Sequence, residues 1–330
     1  MKNSYLITGG YGFIGSSLVR LLLKKKFNVI NIDKITYASI FYKDLHKEFS
    51  QYKNYKFFNS DISKFSHISN IFKKNFPKYI INFAAETHVD NSIEGPKEFI
   101  ETNILGTFNL LQCILKHVPN SRFIHISTDE VFGELSLKGK FSENSPYAPS
   151  SPYSASKASA DHLALSWSRT YNLDVIVTNC SNNYGPYQHY EKLIPTIVKS
   201  CLNKENIPIY GDGSNIRDWL YVDDHTSAIF SILKKGKKGE KYNIGTNNEM
   251  TNLKLAKKIC NIFDKITPLK NKKIKNYSNL IKFVKDRPGH DFRYAINNSK
   301  LTNKIKWKSR NDFNKMLMKT IKWYIKKNQA

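Results

Sequence analysis

The most constraining feature of this chain is a glycine-rich stretch near its N-terminus, YLITGGYGFIGSSLVRLL. It places Gly9, Gly12 and Gly15 in the pattern G-x-x-G-x-x-G, between an apolar run and an amphipathic segment. Glycines are needed in such a turn because the backbone bends tightly, a pyrophosphate approaches it closely and the helix packs near the strand. The stretch therefore predicts a dinucleotide-binding turn with Phe13 and Ile14 at the start of the helix. Three spaced glycines alone are also compatible with an ordinary turn.

The rest of the N-terminal half repeats this alternation of strand and helix. Short β-branched runs predict strands at 4–8, 28–32, 55–59, 79–83, 122–127 and 174–179, and helix-like segments lie near 13–25, 63–75, 98–117 and 152–171. Strands that are buried on both faces and joined by helices form a parallel, doubly wound sheet. The predicted fold class is therefore α/β, with a Rossmann-like doubly wound sheet that binds the cofactor in residues 1–180.

The remainder of the chain, residues 181–330, is predicted to be a smaller C-terminal α/β domain that binds the substrate. Its rhythm is irregular, with turn signals at 211–215 and a Gly/Lys-rich run at 234–241. The strand-like residues 241–245 are expected to rejoin the large sheet, which makes the boundary between the domains interleaved. The basic tail 311–327 has a helical pattern and is expected to pack on the outside.

Net charge bears on the possible partners. The chain has 330 residues and a formal net charge of +25, which is a feature of nucleic-acid-binding proteins. However, the lysines are spread over the whole chain, and arginine, which reads bases better, is scarce. A general preference for Lys, Asn and Ile is the simpler explanation, so we expect no nucleic-acid partner. A positive field would still favour a phosphorylated small substrate.

Cysteine usage and hydropathy bear on the compartment. Cys113, Cys180, Cys201 and Cys260 are far apart and form no C-x-x-C pair, so neither a metal site nor a disulfide framework is expected. No apolar stretch approaches the roughly 18 residues of a membrane span, and a predicted strand begins within the first few residues, without a signal segment. We therefore expect a cytoplasmic protein with no membrane segment and no bound metal.

Acidic and small residues at strand ends predict the rest of the cofactor site. Asp33 ends the second strand, where a carboxylate accepts hydrogen bonds from the adenosine ribose and repels a 2′-phosphate, which predicts NAD rather than NADP. Asp61 and Ile62 follow the third strand and are expected to meet the adenine, although Asp61 also suits a cap for a helix beginning at Ser63. Ala84 follows the fourth strand and lets a cofactor lie close.

A Y-x-x-x-K pair, Tyr153 and Lys157, predicts the catalytic base. Tyr52 and Lys56 have the same spacing, but only the first pair opens a helix after the fifth strand, where residues i and i+4 share a face. A nearby ammonium and the positive nicotinamide are expected to move the tyrosine pKa from about 10 towards 7, so that the phenolate accepts a proton from a sugar hydroxyl. Thr128, at a strand end, is expected to hold that hydroxyl.

These residues together resemble the extended short-chain dehydrogenase/reductases. Nearly the whole chain further resembles one family among them, the dTDP-glucose 4,6-dehydratases. The similar segments occur in that family's order: NIDKITYA, AAETHVDNSI, STDEVFG, YSASKASADH, TNCSNNYGPYQHYEKLIP, RDWLYVDDH and VKDRPGHDFRYAI.

The resemblance implies an NAD-retaining lyase that acts on a nucleoside-diphospho-glucose. In this family hydride moves from C4 of the glucose to NAD, water is lost across C5 and C6, and the hydride returns to C6. The implied substrate is dTDP-glucose and the implied pathway is deoxysugar biosynthesis, for example of dTDP-rhamnose. UDP-glucose as the substrate is one alternative, and a non-catalytic Rossmann protein that binds sugar nucleotide or RNA is another. The resemblance also implies a homodimer built on the helices near 98–117 and 152–171.

Two adjacent acids, Asp129 and Glu130, match the family positions for the elimination. By resemblance Asp129 is the acid for the departing C6 hydroxyl and Glu130 is the base for the C5 proton. Two neighbouring carboxyls that face one site discourage double ionisation, so one of them holds its proton at higher pH. Related epimerases usually carry small or apolar residues here, so the pair distinguishes dehydration from epimerisation. The alternative is a helix-capping or solvated acidic pair.

The resemblance also supplies candidates for binding the nucleotide sugar, which needs cations and amide donors for its pyrophosphate. They are His88, Asn182, Glu191, Lys192, Arg217, Asn252, Arg287 and His290, with Arg217 and Arg287 expected nearest the phosphates. The alternative for Arg217 is a salt bridge to Asp218. Several positions depart from the family pattern, namely Tyr11, Ser39, Asn91 and Phe132, and they bear on cofactor affinity and substrate preference.

Overall fold

The computed structural model describes residues 4–269 and 275–329, so the outermost residues of the predicted ranges 1–180 and 181–330 lie outside the described residues. The strands are β1 Ser4–Thr8, β2 Asn28–Asp33, β3 Tyr55–Asn59, β4 Tyr79–Asn82, β5 Arg122–Thr128, β6 Asp174–Cys180, β7 Asn182–Tyr184, β8 Ile207–Tyr210, β9 Ile216–Tyr221, β10 Lys241–Ile244, β11 Glu249–Thr251 and β12 Ile281–Val284.

The helices alternate with these strands through the first half of the chain. They are α1 Phe13–Lys24, α2 Tyr42–Phe49, α3 Phe65–Asn75, α4 Val89–Glu94, α5 Lys97–Phe99, α6 Gly106–His117, α7 Pro152–Tyr171, α8 Leu193–Asn203, α9 Val222–Lys235, α10 Asn252–Ile266 and α11 Phe313–Asn328. The segment predicted as one helix near 98–117 contains a wider π-helical turn, Ile100–Leu105, between α5 and α6.

Seven strands form one parallel sheet in the order β10-β6-β5-β4-β1-β2-β3. Successive residues of β1 point to opposite faces, with Tyr5 and Ile7 in one core and Leu6 in the other. Residues of α1 and α9 cover the first face, and residues of α3, α6 and α7 cover the second. The predicted α/β doubly wound class is therefore confirmed.

The strand order reverses between β1 and β4, because the chain continues from β1 to β2 on one side and from β4 to β5 on the other. In such sheets the crevice at the carboxyl ends of the strands beside this reversal is where ligands bind. The residues that follow β1, β2, β4, β5 and β6 therefore meet at one edge of the sheet.

The second half of the chain builds two smaller sheets, one in the order β11-β9-β7 and one pairing β12 with β8. Helices α8, α10 and α11 share a separate core with them, which includes Ile197, Leu255 and Leu317. Between these parts the chain returns to the large sheet, where β10 runs parallel to β6 with Lys241 opposite Val177. The division into two domains near residue 180 stays a prediction.

Three further features concern the described residues only. No helix there is long and apolar enough to cross a membrane. No group of three or more His, Cys, Asp and Glu side chains in the described ranges is arranged to hold a metal ion. All four cysteines are buried and free.

Candidate active site

The glycine turn joins β1 to α1 at the crevice. Gly9 has a φ of +69°, and a Cβ there would lie 2.8 Å from the backbone nitrogen of Ala84. A Cβ on Gly15 would lie only 2.2 Å from the carbonyl oxygen of Gly9. Helix α1 follows Gly12, and no side chain in the described part of the protein caps its N-terminus. Because its first N–H groups lack helical acceptors, they can receive an anion such as the pyrophosphate of a dinucleotide.

Asp33 ends β2 beside this turn. Its carboxylate accepts hydrogen bonds from the backbone N–H of Tyr11 at 2.9 Å and of Ile35 at 2.8 Å. Burial raises the pKa of Asp33, and these two hydrogen bonds oppose the rise. An anchored carboxylate at this strand end fits the ribose of NAD.

Asp61 makes a local capping hydrogen bond and also lines the crevice. Its Oδ1 accepts a hydrogen bond from the backbone N–H of Ser63 at 2.8 Å, which is the local capping interaction. Asp61 and Ile62 also line the crevice together with the glycine turn and Asp33. Capping and cofactor contact are therefore compatible at this position.

One cavity extends from the glycine turn across the carboxyl ends of β4 and β5 to the region around β7. All of the predicted cofactor-binding and catalytic residues line it: Gly9, Gly12, Phe13, Ile14, Gly15, Asp33, Asp61, Ile62, Ala84, Thr128, Asp129, Glu130, Tyr153 and Lys157. Of the predicted substrate-binding residues, Asn182, Glu191 and Lys192 also line it. The other five, His88, Arg217, Asn252, Arg287 and His290, are not part of this lining.

Tyr153 lies in the first turn of α7. Ser151 caps this helix through a reciprocal pair of hydrogen bonds with Ser154, and the backbone N–H of Tyr153 donates to Ser92 Oγ at 3.2 Å. Burial raises the pKa of Tyr153 well above its ordinary value and the charge of Glu130 adds to this, while a hydrogen bond with Thr128 opposes it. In the protein by itself the pKa of Tyr153 is therefore raised, and the lowering expected from Lys157 together with a bound nicotinamide stays a prediction.

Lys157 follows Tyr153 by one helical turn in α7. Its Nζ donates to the backbone carbonyl of Ile126 at 2.7 Å. Burial lowers the pKa of Lys157 to about 8, and Asp161 opposes the change. Because a lysine with a pKa of about 8 is still mostly protonated at neutral pH, Lys157 can stabilise a phenolate together with the positive charge of a bound nicotinamide.

Asp129 and Glu130 occupy a short 3-10 turn that Thr128 begins, with Thr128 Oγ1 accepting from the backbone N–H of Glu130 at 3.3 Å. Asp129 is 2% exposed, and its Oδ2 has no hydrogen-bond partner in the described part of the chain. Burial raises the pKa of Asp129 well above its ordinary value, and the charges of Glu130 and Asp218 add to the rise.

Glu130 differs from its neighbour in its charged surroundings. Burial raises the pKa of Glu130 too, but the cations of Arg287, Arg217 and Lys192 oppose this. The pKa of Asp129 is the more strongly raised of the two: two acids add to the rise and only Arg217 among the described charges nearby opposes it, whereas three cations oppose the rise at Glu130 against the single acid Asp291. When one proton is shared by the pair, it is therefore favoured on Asp129.

Arg217 is held by the backbone. Its guanidinium donates to the carbonyls of Ile216 at 2.8 Å, Asp291 at 2.9 Å and Phe292 at 3.2 Å, and it lies 4.3 Å from the ring centre of Tyr294. Within the described residues it makes no ion pair with Asp218, so that alternative for Arg217 is wrong.

Asp218 instead caps a loop, accepting from the backbone N–H groups of Thr246 at 3.0 Å and Asn248 at 2.6 Å. The two residues are neighbours in a strand, and successive side chains of a strand point to opposite faces. This is why adjacency in the sequence did not produce a pair.

Arg287 links the second half of the chain to α4. Its Nη1 lies 3.5 Å from Asp90 Oδ1, and the hydroxyl of Tyr210 donates to Asp90 Oδ2 at 3.1 Å. The neighbouring His290 contacts Asp286 Oδ1 through Nδ1 at 2.6 Å. The contact with Asp90 places Arg287 beside the segment that follows β4.

Glu191 is the centre of a second charged group. His189 Nδ1 lies 3.3 Å and His88 Nε2 3.9 Å from Glu191 Oε2, while Lys192 Nζ donates to the carbonyl of Thr87 at 2.8 Å. Burial tends to raise the pKa of Glu191, but the hydrogen bond from His189 and the nearby cations lower it overall. This acid is therefore ionised at neutral pH.

Several buried polar atoms in the substrate region lack a hydrogen-bond partner within the described residues. They are Asn182 Oδ1, Asn252 Oδ1 and Arg287 Nε. Buried polar groups are rarely left unsatisfied without a reason, and a polar ligand is one such reason.

The departures from the family pattern make local contacts. The Tyr11 hydroxyl lies 2.8 Å from His46 Nδ1, Asn91 Nδ2 donates to the hydroxyl of Tyr37 at 2.8 Å, and the ring of Phe132 stacks on Phe141 at 5.2 Å. Ser39 lines the cofactor end of the cavity. These contacts give each replaced side chain a place in the packing.

The sequence reasoning missed a small cluster at the cofactor end of the cavity. Lys34 Nζ lies 3.3 Å from Glu86 Oε1 and 3.1 Å from Thr102 Oγ1, and all three residues line the cavity. Lys34 and Glu86 follow β2 and β4 closely, so their positions after strand ends were an available signal. Thr102 lies in the π-helical turn and had none.

Comparison with known proteins agrees with this geometry. The family model for GDP-mannose 4,6 dehydratase matches residues 6–320. A curated dTDP-glucose 4,6-dehydratase from Haemophilus influenzae is 48% identical over 330 residues, which cover 97% of this chain and 97% of that protein.

Solved structures give the same result. A dTDP-glucose 4,6-dehydratase from Bacillus anthracis in complex with NAD is 42% identical, with a TM-score of 0.87, and the match covers 99% of this chain and 98% of that one. Another from Streptomyces venezuelae, with NAD bound, is 38% identical with a TM-score of 0.91, and covers the same shares.

Proposed function

This chain belongs to the dTDP-glucose 4,6-dehydratases, and from this premise we propose that it converts dTDP-glucose to dTDP-4-keto-6-deoxy-glucose with tightly bound NAD. The net reaction is the loss of one water, which makes the enzyme a hydro-lyase. The glycine turn, Asp33, Asp61 and Ile62 would hold NAD, which would supply the hydride acceptor for the oxidation at C4 and the hydride donor for the reduction at C6. The observation that carries this proposal is that Asp129 and Glu130 line the same cavity as Tyr153 and the glycine turn.

In the proposed oxidation, Tyr153 accepts the proton of the C4 hydroxyl. Thr128 holds that hydroxyl from the end of β5, and Lys157 supplies positive charge from the next turn of α7. Tyr153 and Thr128 line the same cavity, so both side chains can meet the sugar hydroxyl there. This positioning reduces the entropy cost of the step.

In the proposed elimination, Glu130 accepts the C5 proton and Asp129 donates a proton to the departing C6 hydroxyl. This division follows the charges around each acid. Burial and the charge of Glu130 raise the pKa of Asp129 well above its ordinary value, which favours the protonated form that an acid needs. Glu130 has three cations around it and is the better base.

For the nucleotide, we propose that Arg217 and Arg287 bind the pyrophosphate. Both guanidinium charges are close enough to Glu130 to lower its pKa against the effect of burial. The remaining polar candidates are proposed to bind the sugar and the base: His88, Asn182, Glu191, Lys192, Asn252 and His290.

The direct test is an assay of the NAD-loaded protein with dTDP-glucose, followed by alkali, which develops the absorbance of a 4-keto sugar. UDP-glucose and GDP-mannose are assayed in parallel, because they differ in the nucleotide or the sugar. We expect kcat/KM to be highest for dTDP-glucose. A folded, NAD-loaded protein that produces no 4-keto sugar would refute the proposal, and a preference for UDP-glucose would correct the nucleotide.

Two matched variants test the division of the roles. Tyr153→Phe should prevent the oxidation, so no absorbance of reduced NAD should appear when dTDP-glucose is added. Glu130→Gln should allow oxidation but stop elimination, so reduced NAD should accumulate on the enzyme. Rapid normal turnover by Glu130→Gln would show that another group removes the C5 proton.

We further propose that the protein acts as a cytoplasmic homodimer in deoxysugar biosynthesis, through the helices near 98–117 and α7. Ile100 and Leu105 are 53% and 43% exposed on the first of these segments, and Tyr171 is 45% exposed at the end of α7. Large apolar side chains gathered on neighbouring helices favour an interface. Sedimentation equilibrium should give a dimer, and Leu105→Lys should weaken it.

A further inference from the structure

A buried polar cluster surrounds the side chain of Lys157, and the proposed steps assign no role to it. Lys157 is 3% exposed, and Asp161, one helical turn further along α7, and His125 on β5 are both 0% exposed. Isolated charges are very costly to bury, so an acid and a base in this interior are expected to be paired and hydrogen bonded.

The hydrogen bonds fix the protonation of the histidine in this cluster. Thr8 Oγ1 accepts from the backbone N–H of Ala84 at 3.2 Å and therefore donates its own proton to Asn82 Oδ1, at 2.6 Å. This orients Asn82 Nδ2 towards His125 Nδ1, at 3.2 Å. Nδ1 is then an acceptor, and Nε2 carries the proton of a neutral ring. Burial lowers the pKa of His125 well below its ordinary value, which agrees with a neutral ring.

The protonated Nε2 of His125 faces Asp161 Oδ1 at 3.4 Å. The other oxygen, Oδ2, accepts from Ser127 Oγ at 2.8 Å, from the Tyr147 hydroxyl at 2.9 Å and from Asn179 Nδ2 at 3.3 Å. A carboxylate surrounded by several donors remains ionised even in an apolar interior. Burial raises the pKa of Asp161 to about 6, and the neighbouring ammonium and these donors oppose that rise, so the group is an anion at neutral pH.

We propose that Asp161, with His125, is a positioning residue that keeps Lys157 in its charged form beside Tyr153. Lys157 Nζ donates to the carbonyl of Ile126 at 2.7 Å and lies 3.5 Å from His125 Nε2, the atom that itself lies 3.4 Å from Asp161 Oδ1. The inference rests on the proposed function, in which Tyr153 is the base that this positive charge assists.

Other titratable groups face the cluster from neighbouring strands. Cys180 on β6 is close to Lys157, but burial raises the pKa of its thiol to about 12, so it is neutral. Lys241 on β10 is close enough to Asp161 for their charges to interact. Asp161 is therefore the one anion, among the described residues that shift the pKa of Lys157, that is ionised at neutral pH.

The sign of the expected effect follows from the burial of Lys157. Its pKa of about 8 means that the ammonium, and with it the activity, is lost as pH rises through that value. Asp161→Asn keeps the shape of the side chain but removes the opposing charge. The alkaline limb of kcat/KM should therefore move to lower pH, by about 1 unit or more.

Two further variants keep the test decisive. Ser159→Ala, at an exposed position of the same helix, should leave the limb in place. Tyr147→Phe removes only one donor to Asp161 and should move the limb in the same direction by a smaller amount. If Asp161→Asn fails to fold, Tyr147→Phe decides the question.

A second readout separates this inference from the proposed function. In the NAD-loaded protein without sugar, the tyrosinate ultraviolet absorbance lost in Tyr153→Phe reports the ionisation of Tyr153. In Asp161→Asn that ionisation should move to higher pH. This holds even if dTDP-glucose is not the substrate, whereas a folded Asp161→Asn protein with an unmoved alkaline limb and an unmoved tyrosinate titration would overturn the role of Asp161.

Discussion

Replacing Asp129 by asparagine tests two effects of this residue, its contribution to the reaction rate and its cost to folding stability. An asparagine fills nearly the same volume but cannot donate the proton that the C6 hydroxyl needs. General acid catalysis is typically worth a factor of about 10²–10⁴, so the rate of product formation should fall by that amount. The oxidation of C4 does not use this proton. Reduced NAD should therefore accumulate in Asp129→Asn after mixing with dTDP-glucose, as is also expected for Glu130→Gln.

Asp129→Asn should slow the reaction, but it should also remove a cost that Asp129 imposes on folding stability at neutral pH. Since the folded-state pKa of Asp129 lies well above the unfolded value, the folded protein binds a proton that the unfolded chain has released. Folding stability then decreases by up to about 1.4 kcal/mol for each pH unit from about pH 4 upward, until the folded pKa is reached. The upper limit at neutral pH is about 4 kcal/mol. Asparagine removes this penalty but leaves an amide without partners, at about 1–3 kcal/mol.

The variant should therefore be less stable than the wild type near pH 4 and at least as stable near pH 7. Urea unfolding of the NAD-loaded proteins across this range measures the difference. Asp212→Asn is a suitable control, because Asp212 is exposed and hydrogen bonds from Ser214 lower its pKa. The free energy of unfolding of Asp129→Asn, relative to that of the wild type, should increase as pH rises. If it does not, Asp129 is ionised in the folded protein and its assignment as the acid is wrong.

Two further predictions concern the ends of the ligand site. Gly15→Ala should lower NAD retention at least about tenfold, because its Cβ would lie 2.2 Å from the Gly9 carbonyl oxygen. The measurement is the amount of cofactor that stays bound after gel filtration. Gly95→Ala is the control and should retain NAD normally, because the nearest neighbour of its Cβ would lie at 3.8 Å. Arg217→Lys should raise KM for dTDP-glucose about tenfold, with a smaller change in kcat. The reason is that one ammonium cannot reproduce the three backbone hydrogen bonds of the guanidinium and its stacking on Tyr294. An unchanged KM would show that the pyrophosphate binds elsewhere.

The large sheet was predictable because its strands are buried on both faces. Runs such as 28–32 and 174–179 are rich in the β-branched residues Val, Ile and Thr, which is typical of parallel strands between helices. The smaller sheets were not predictable in the same way. β7 has three residues, Asn182–Tyr184, two of them polar, and its partner β9 begins at Ile216. Such a short strand has no measurable periodicity, and its pairing depends on contacts that are distant in the sequence.

Some features of the candidate site were likewise predictable from the sequence, and others were not. Tyr153, Lys157 and the adjacent acids belong to specific motifs, so their gathering in one cavity followed from their positions after strand ends. The elevated pKa of Tyr153 did not follow, because it depends on burial and on the distance to Glu130. A sign of the cluster around Lys157 was present in the sequence, since His125 stands in the middle of an otherwise apolar strand. Its partner Asp161 became evident only in three dimensions.

The return of β10 to the edge of the large sheet has a consequence for how the protein is made. Until the ribosome has synthesised Lys241–Ile244, one edge of β6 has no partner strand, although the rest of the sheet was completed some sixty residues earlier. An unpaired edge of this kind is prone to pair with other chains. A gene truncated after residue 180 should therefore yield an aggregating fragment, and a chaperone that binds nascent chains would find its target in this interval of translation.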